Sequence, residues 1–521
     1  MTGGLHWFDG VVVAAYALAV IALGWYYSRR QESVEEFFVG NRSMNPLLIG
    51  VSIFVTLFST ISYLSAPSEL INHGPVVMTD IIGIPITFCI IGFLMIPVYR
   101  RYRVTSAYEL LEMRLGLAAR LLGATTFILL RLVWMSLLIY LTAKAMLVML
   151  GLQAEWLPAV ALAAGGIAIV YSTLGGLRAV VITDFVQFLL LFGGAVMVIA
   201  TVTVSLDGFG WIPTEWNKAW DKQPAFSFKP TVRVTIFGSV LNGILWWVCT
   251  TGGDQTAIQR FMATKDAAAA RRSFLISCIA NTAVSLVLAL VGFALLGFYQ
   301  GDPARLPSGM TIAENADSLF PYYIANYLPI GFSGLVVSGM FAAAMSSVDS
   351  GVNSITAVVM TDYVDRFRHT ALSERARVLC ARSLTLGIGI TVISASLLMG
   401  HVPGNFLEMS QRTLGLFVAP LFTLFFLAMF VRLSTQAGAI TGTICSLAAA
   451  ATVAHWESLV SSADRPIGGA VVAVWESLTT APIPPTFSFQ WILPVSLTVG
   501  VTSGLLASVL FRAVGLSPSR K

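Results

Sequence analysis

Between Gly334 and Asp362 an otherwise apolar stretch, GLVVSGMFAAAMSSVDSGVNSITAVVMTD, carries Ser346, Ser347, Ser350, Asn353 and Ser354 at three- and four-residue spacing. On a helix that spacing aligns a stripe of hydroxyls, with Asp349 on an overlapping face. Small-residue packing explains the alanines, and serines bonded back to their own helix explain some of the hydroxyls. Neither explains a carboxylate in mid-run, because ionisable groups inside a membrane span are costly and mark functional candidates. Hard monovalent cations such as Na+ take several oxygen ligands, so the stripe reads as one wall of a cation site.

A second wall is offered by GVSIFVTLFSTISYLSAPSE, where Ser52, Thr56, Ser59, Thr60 and Ser62 make a membrane-length segment unusually polar. A locally unwound helix there would free backbone carbonyls for a cation. No Gly or Pro lies between Val51 and Ser65, so a break is permitted rather than demanded. In YSTLGGLRAVVITDFVQ a short turn at Gly175 and Gly176 precedes Asp184, which sits too deep in its helix for simple capping. In WWVCTTGGDQTAIQRF adjacent Gly252 and Gly253 favour a broken helix, followed by Asp254, Gln255, Gln259 and Arg260. Arg131 lies about 18 Å along a long apolar helix at about 1.5 Å per residue, too deep for easy snorkelling. Gln411, Arg412 and Asp80 fall near the ends of other apolar runs.

The elements that must position these groups follow from composition. Of 521 residues, 56% are hydrophobic and 11% charged, against about 25% charged in soluble domains. A water-soluble globular protein and a disordered chain are both excluded. Thirteen apolar stretches approach the length that crosses a bilayer: about 9–28, 46–72, 76–99, 119–150, 155–174, 179–204, 234–256, 272–298, 328–361, 378–400, 404–431, 435–455 and 488–511. The fold class expected is therefore an all-α polytopic membrane protein of about 13 transmembrane helices, with 1–521 a single transmembrane domain.

Most of the 31 Lys and Arg fall in segments on one side of these spans, including Arg29, Arg30, Arg42, Arg178 and the 366–382 segment. The positive-inside rule then puts the amino terminus outside and the carboxyl terminus in the cytoplasm, in the plasma (inner) membrane. The net charge of +5 is thereby accounted for by the lipid bilayer, and no nucleic acid partner is expected. The first apolar run lacks a basic leader and reads as a retained span rather than a signal peptide. Trp211, Trp216 and Trp220 in the 205–233 segment read as an interfacial anchor or lid. The five cysteines are scattered and read as core residues.

Taken together, these segments resemble the sodium:solute symporter family from the second span through the eleventh. The matching motifs are YSTLGGLRAVVITDFVQ, DQTAIQRFMATKD and the serine helix, in that order. SAPSE after the second span is similar to the anion and monocarboxylate branch, whereas Gln411 falls where the sugar branch carries a substrate-contact Gln. The branch stays open.

The resemblance implies a leucine-transporter-type core of two five-helix inverted repeats, about 46–204 and 234–431, with alternating access around a midplane site. Residues 1–45 would add a first helix and inner loop, and 435–521 the last two helices. By resemblance, a first sodium is held by the carbonyls of Val55, Phe58 and Ala343 and the hydroxyls of Ser346 and Ser347. Members with a second sodium use the acid matching Asp184 and positions that are here Asp349 and Ser350. An Asp at 349 could strengthen that site, favour a proton, or be neutralised by a buried cation. Candidate solute contacts are Ser59, Ser62, Trp247, Thr250 and Gln411, with Arg131 where acid-binding members set an Arg against a carboxylate.

One Na+ crossing about 100 mV gains about 2.3 kcal/mol, and a tenfold gradient adds about 1.4 kcal/mol. A monoanionic solute would give back about 2.3 kcal/mol of this, so it predicts a second sodium. The function expected is sodium-coupled import of a small polar organic solute: a sugar, sugar acid or monocarboxylate. Sodium is the coupling ion and no organic cofactor is expected. A solute sensor working through a separate signalling partner is the alternative, and a passive channel is not excluded by composition. No H-E-x-x-H, G-x-S-x-G or phosphate loop occurs, so enzymatic activity is not expected.

Overall fold

A computed structural model describes residues 4–28, 44–101, 106–172, 177–307, 309–368, 372–462, 469–473, 477 and 483–514. Gly175, Gly176, Arg29, Arg30 and Arg42 lie outside them. The described residues form helices and connecting loops, with no strand among them. Each of the thirteen apolar stretches has a helical counterpart. They run as α1 (Trp7–Ser28), α2 (Pro46–Leu57) with α3 (Thr60–His73), α4 (Pro75–Arg101), α5 (Leu117–Leu150), α6 (Leu157–Ser172) and α7 (Leu177–Ser205). The second half holds α8 (Ile236–Gly253) with α9 (Gln255–Met262), α10 (Ala267–Gly301), α11 (Phe332–Phe367), α12 (Glu374–Ser396), α13 (Phe406–Phe430), α14 (Gln436–Ala454) and α15 (Ile492–Ala513).

Two of these stretches are broken. α2 begins on Pro46 behind an Asn45 cap, a position where proline's fixed φ and missing N–H cost nothing. It ends at Leu57, because Phe58 and Ser59 are extended, and α3 restarts with Ser59 as its cap, at a bend of 63°. The seventh span breaks one residue beyond its glycine pair. Asp254 is extended, caps α9, and accepts the Thr256 amide at 2.8 Å.

α11 is the buried centre of the bundle, packed by α1, α5, α6, α7, α12 and α2. α1 docks through Asp9, whose carboxylate accepts the Gly331 and Gly334 amides at 2.7 and 2.9 Å at the start of α11. An acid at a helix amino terminus satisfies amides that have no intrahelical partner. α2 lies close against α10. A Cβ on Gly50 would stand 2.6 Å from the Ser273 carbonyl oxygen, so only glycine admits this approach.

Ion pairs tie helices together at both ends. At one end Arg120 bridges Asp362 (Nε, 2.7 Å) and Glu112 (2.6 Å), and Arg366 adds a second bond to Glu112 at 2.6 Å. At the other, Arg233 from the 206–235 segment holds Glu69 of α3 with two bonds at 2.6 and 3.0 Å and Glu408 of α13 at 2.8 Å. Of the tryptophans in that segment, Trp220 is buried, its ring 3.0 Å from where a Gly74 Cβ would stand at the end of α3, and Trp216 is half exposed. The segment therefore lies over α3 as a cover. A further helix, Ile312–Asn326, joins α10 to α11 and has no counterpart among the expected spans. Its mixed composition, IAENADSLFPYYIAN, lacks the apolar run that marks a span.

Candidate functional site

The α2–α3 break and the middle of α11 meet. The Thr60 hydroxyl donates to the Met340 carbonyl at 2.9 Å, which pins the start of α3 to α11. The Phe58 amide still donates to the Phe54 carbonyl at 2.7 Å, but the extended chain beyond it takes the next amides out of the helical ladder. The carbonyls that follow Phe54, Val55 among them, are thus released from helical bonding. Val55, Phe58, Ala343, Ser346 and Ser347 are all buried. Among the described residues the Ser347 hydroxyl has no partner, and neither does that of Thr56 on α2. A buried hydroxyl without a partner is expensive, and a cation is one group that would satisfy it.

Asp184 of α7 sits beside this place. The hydroxyls of Ser346 and Ser52 both donate to it, the latter at 2.5 Å. Its charge is met by Arg260 of α9, whose Nη2 lies 3.6 Å away. Arg260 also donates to Ser52 at 2.8 Å, Ser350 at 3.1 Å and the Thr256 carbonyl at 3.1 Å. Asp184 and Ser350 are therefore brought onto one protein cation. Asp349 accepts a bond from Asn353, one turn along its own helix, at 2.7 Å. Sequence reasoning singles out Arg260 without a role, because its acidic partner is 76 positions away in the chain.

A cavity of about 170 Å3 adjoins the break. Ser59, Ser62, Trp247 and Gln411, four of the residues read from the sequence as candidate solute contacts, line it. Thr250 is buried outside the lining, its hydroxyl unpartnered among the described residues. Arg131 is not in the lining either, contrary to its expected place against a solute carboxylate. It pairs with Asp254 in the α8–α9 break, and its guanidinium stacks 4.7 Å over the ring of Trp134. Trp134 itself faces the cavity, so Arg131 lies behind the wall. The reason is chemical: Asp254 is buried at the cap of α9 and needs a cation.

The lining also includes residues to which the sequence assigns no solute role: Asp80 of α4, Asn242 and Trp246 of α8, and Glu69 of α3. The Asn242 Oδ1 and Gln411 Oε1 atoms have no hydrogen-bond partner among the described residues. Unpaired amide oxygens beside a cavity are groups that a polar solute can satisfy. Asp80 is legible as an intramembrane acid, and Asn242 as an amide within a span.

A model of the sodium:solute symporter family matches residues 37–446. This chain belongs to the sodium:solute symporter family. Membership makes it an integral membrane protein and a sodium-coupled symporter of a small organic solute. Over 457 residues it is 28% identical to a sodium/sialic acid symporter of Proteus mirabilis, covering 84% of this chain and 88% of that protein. It is 27% identical to the human sodium-coupled monocarboxylate transporter 1, covering 84% and 72%. The solved outward-open, substrate-bound structure of a sodium-coupled sialic acid symporter superimposes with a TM-score of 0.75 at 24% identity, over 97% of this chain and 98% of that one. Its likeness supports the fold of the symporter.

Proposed function

We propose that this symporter brings a small polar organic solute into the cell with sodium, the ion held at the α2–α3 break and the solute in the adjoining cavity. The first sodium is assigned to the carbonyls of Val55, Phe58 and Ala343 and the hydroxyls of Ser346 and Ser347. The observation that carries this reading is the buried Ser347 hydroxyl, without a partner among the described residues, on a helix tied to the broken one through Thr60 on Met340 and through Ser346 and Ser52 on Asp184. The solute contacts assigned are Ser59, Ser62, Trp247, Asn242 and Gln411, five cavity residues of which two have an unpaired amide oxygen. Arg131 is assigned to holding α9 through Asp254, in place of a direct solute contact.

At the second cation place, Arg260 supplies the positive charge that a second sodium would bring. Asp184 is thereby neutralised by the protein in this state, which favours one coupling sodium. The two repeats are assigned to 46–204 and 234–431, each opening with a broken helix, and alternating access is the mode of transport that such a pair supports. The orientation follows the positive-inside rule, amino terminus outside and carboxyl terminus cytoplasmic, in the plasma membrane. The Arg233 cluster then closes the outer end of the cavity and the Arg120 cluster the inner end.

The test is uptake into proteoliposomes of purified protein under an inward sodium gradient, and under a potassium gradient of equal size. Accumulation above the outside concentration in sodium alone supports the reading. Equal, saturating flux in both salts overturns it.

A further inference from the structure

The relatives above are named for acids, yet the charge of this cavity has the opposite sense. Among the described residues that line it, none is Lys, Arg or His, and two are carboxylates. One of these, Glu69, is already satisfied, with two bonds from Arg233 and a third from Asn405 at 2.8 Å. The other, Asp80, has no cationic partner among the described residues. Asp80 is seated close to the opposite wall: a Cβ on Gly243 of α8 would lie 2.8 Å from the Asp80 Cβ. The absence of a side chain at 243 lets α8 pack closely on α4 at position 80. Two guanidiniums lie behind the lining and both are engaged: Arg233 on Glu69 and Glu408, and Arg131 on Asp254, behind Trp134.

Two indoles, Trp246 and Trp247, line the same cavity one helical turn along α8 from Gly243, the residue that Asp80 packs against. An uncompensated carboxylate next to aromatic rings attracts a cation twice, through its charge and through the ring quadrupoles. An anionic solute would meet the reverse: a like charge at short range and no buried donor of full positive charge. Resting on the symport reading for the site, we propose that the solute carries a protonated amine or quaternary ammonium group, held by Asp80 against Trp246 and Trp247. Its hydroxyl or amide groups then meet Asn242 and Gln411, whose oxygens are unpaired. Such a solute would also be drawn inward by the membrane potential, adding about 2.3 kcal/mol per 100 mV to the drive from sodium.

The experiment uses the full chain, purified, and matched triplets that share a skeleton and differ in charge. They are choline, 3,3-dimethylbutan-1-ol and 3,3-dimethylbutanoate; glucosamine, glucose and glucuronate; and 1-amino-2-propanol, 1,2-propanediol and lactate. Binding is read as a rise in thermal stability, in Na+ and in K+. The result expected is that the amine of at least one triplet binds at least tenfold more tightly than its neutral and anionic counterparts. Asp80→Asn is expected to erase that preference and Asp80→Glu to retain it, both keeping the stabilisation by sodium alone that shows a folded protein. A neutral or anionic member that binds best, no binding by any amine, or an amine preference untouched by Asp80→Asn would each overturn the proposal. If the amine binds equally in Na+ and K+, the charge assignment stands and sodium coupling falls. If glucose, lactate or another non-amine binds only in Na+, coupling stands and the charge assignment falls.

Discussion

The hydroxyl of Ser346 donates to the carboxylate of Asp184, so one atom joins the place assigned to sodium with the place held by Arg260. A hydroxyl that gives its proton to an acid keeps its lone pairs for a cation. Ser347, one position along, has no such partner among the described residues.

This difference separates two variants. Ser347→Ala removes a hydroxyl that makes no hydrogen bond in the protein, so folding stability in sodium-free buffer should change by less than about 0.5 kcal/mol. The sodium concentration for half-maximal uptake should rise about tenfold, equivalent to about 1.4 kcal/mol of lost binding. Ser346→Ala should raise it as much and also lower stability, since Asp184 loses a donor. Uptake at graded sodium, with unfolding followed on the same preparations, checks both. Unchanged sodium dependence in the two variants removes the assignment.

Arg260 offers a double-mutant cycle. Arg260→Gln leaves Asp184 as a buried charge without its cation, and breaking a buried pair costs about 3–5 kcal/mol. Adding Asp184→Asn should recover much of that loss, because the stranded charge is gone. Stabilities of the two single variants and the double variant give the coupling energy. Additive losses would show that the two residues act separately.

Arg131 and Asp254 form a second buried pair with a different readout. Arg131→Ala should destabilise by a similar about 3–5 kcal/mol, and Asp254→Asn in that background should restore stability. The restored double variant should bind solute with an affinity within about threefold of the parent, as expected of a residue behind the cavity wall. A loss of affinity that persists after stability is restored would return Arg131 to the solute.

Arg233 makes a prediction about access. Arg233→Ala removes two bonds to Glu69 and one to Glu408, each the kind of charged bond worth about 1.5–3 kcal/mol. In a background with the five native cysteines replaced, Ser62→Cys should react at least about tenfold faster with a membrane-impermeant thiol reagent once Arg233 is removed. Addition of the reagent to each side of proteoliposomes in turn tells which end has opened. Faster reaction from the side of Asp362 alone would place the closure at the other cluster.

The spans are legible in the sequence because a run of about 20 apolar residues matches the thickness of a bilayer and exceeds what a soluble core asks of one helix. The serine stripe is legible too, since its period matches a helix. What eludes the sequence is pairing between distant groups. Nothing local says that Arg131 meets Asp254 or that Arg260 meets Asp184. Asp80 announces itself by its type, but its want of a counter-ion is a property of the assembled wall. The first break comes without Gly or Pro, from a serine that caps the next helix. The second falls at Asp254, beside the glycines rather than on them. Ile312–Asn326 escapes notice because a helix of mixed composition between spans leaves no long apolar signature.

The two breaks differ in what it takes to bend them further. At the first, a neutral serine side chain holds the Ile61 amide at 3.3 Å, a cap worth about 1 kcal/mol. At the second, Asp254 is locked by a buried arginine, and parting that pair without water takes several kcal/mol. The molecule thus has one supple joint and one stiff one. Because α3 beyond the joint at Ser59 is also held by Thr60 on Met340 and by Arg233 on Glu69, those outer ties, and not the cap, set the cost of moving that half-helix, whereas at Asp254 the joint itself carries the lock.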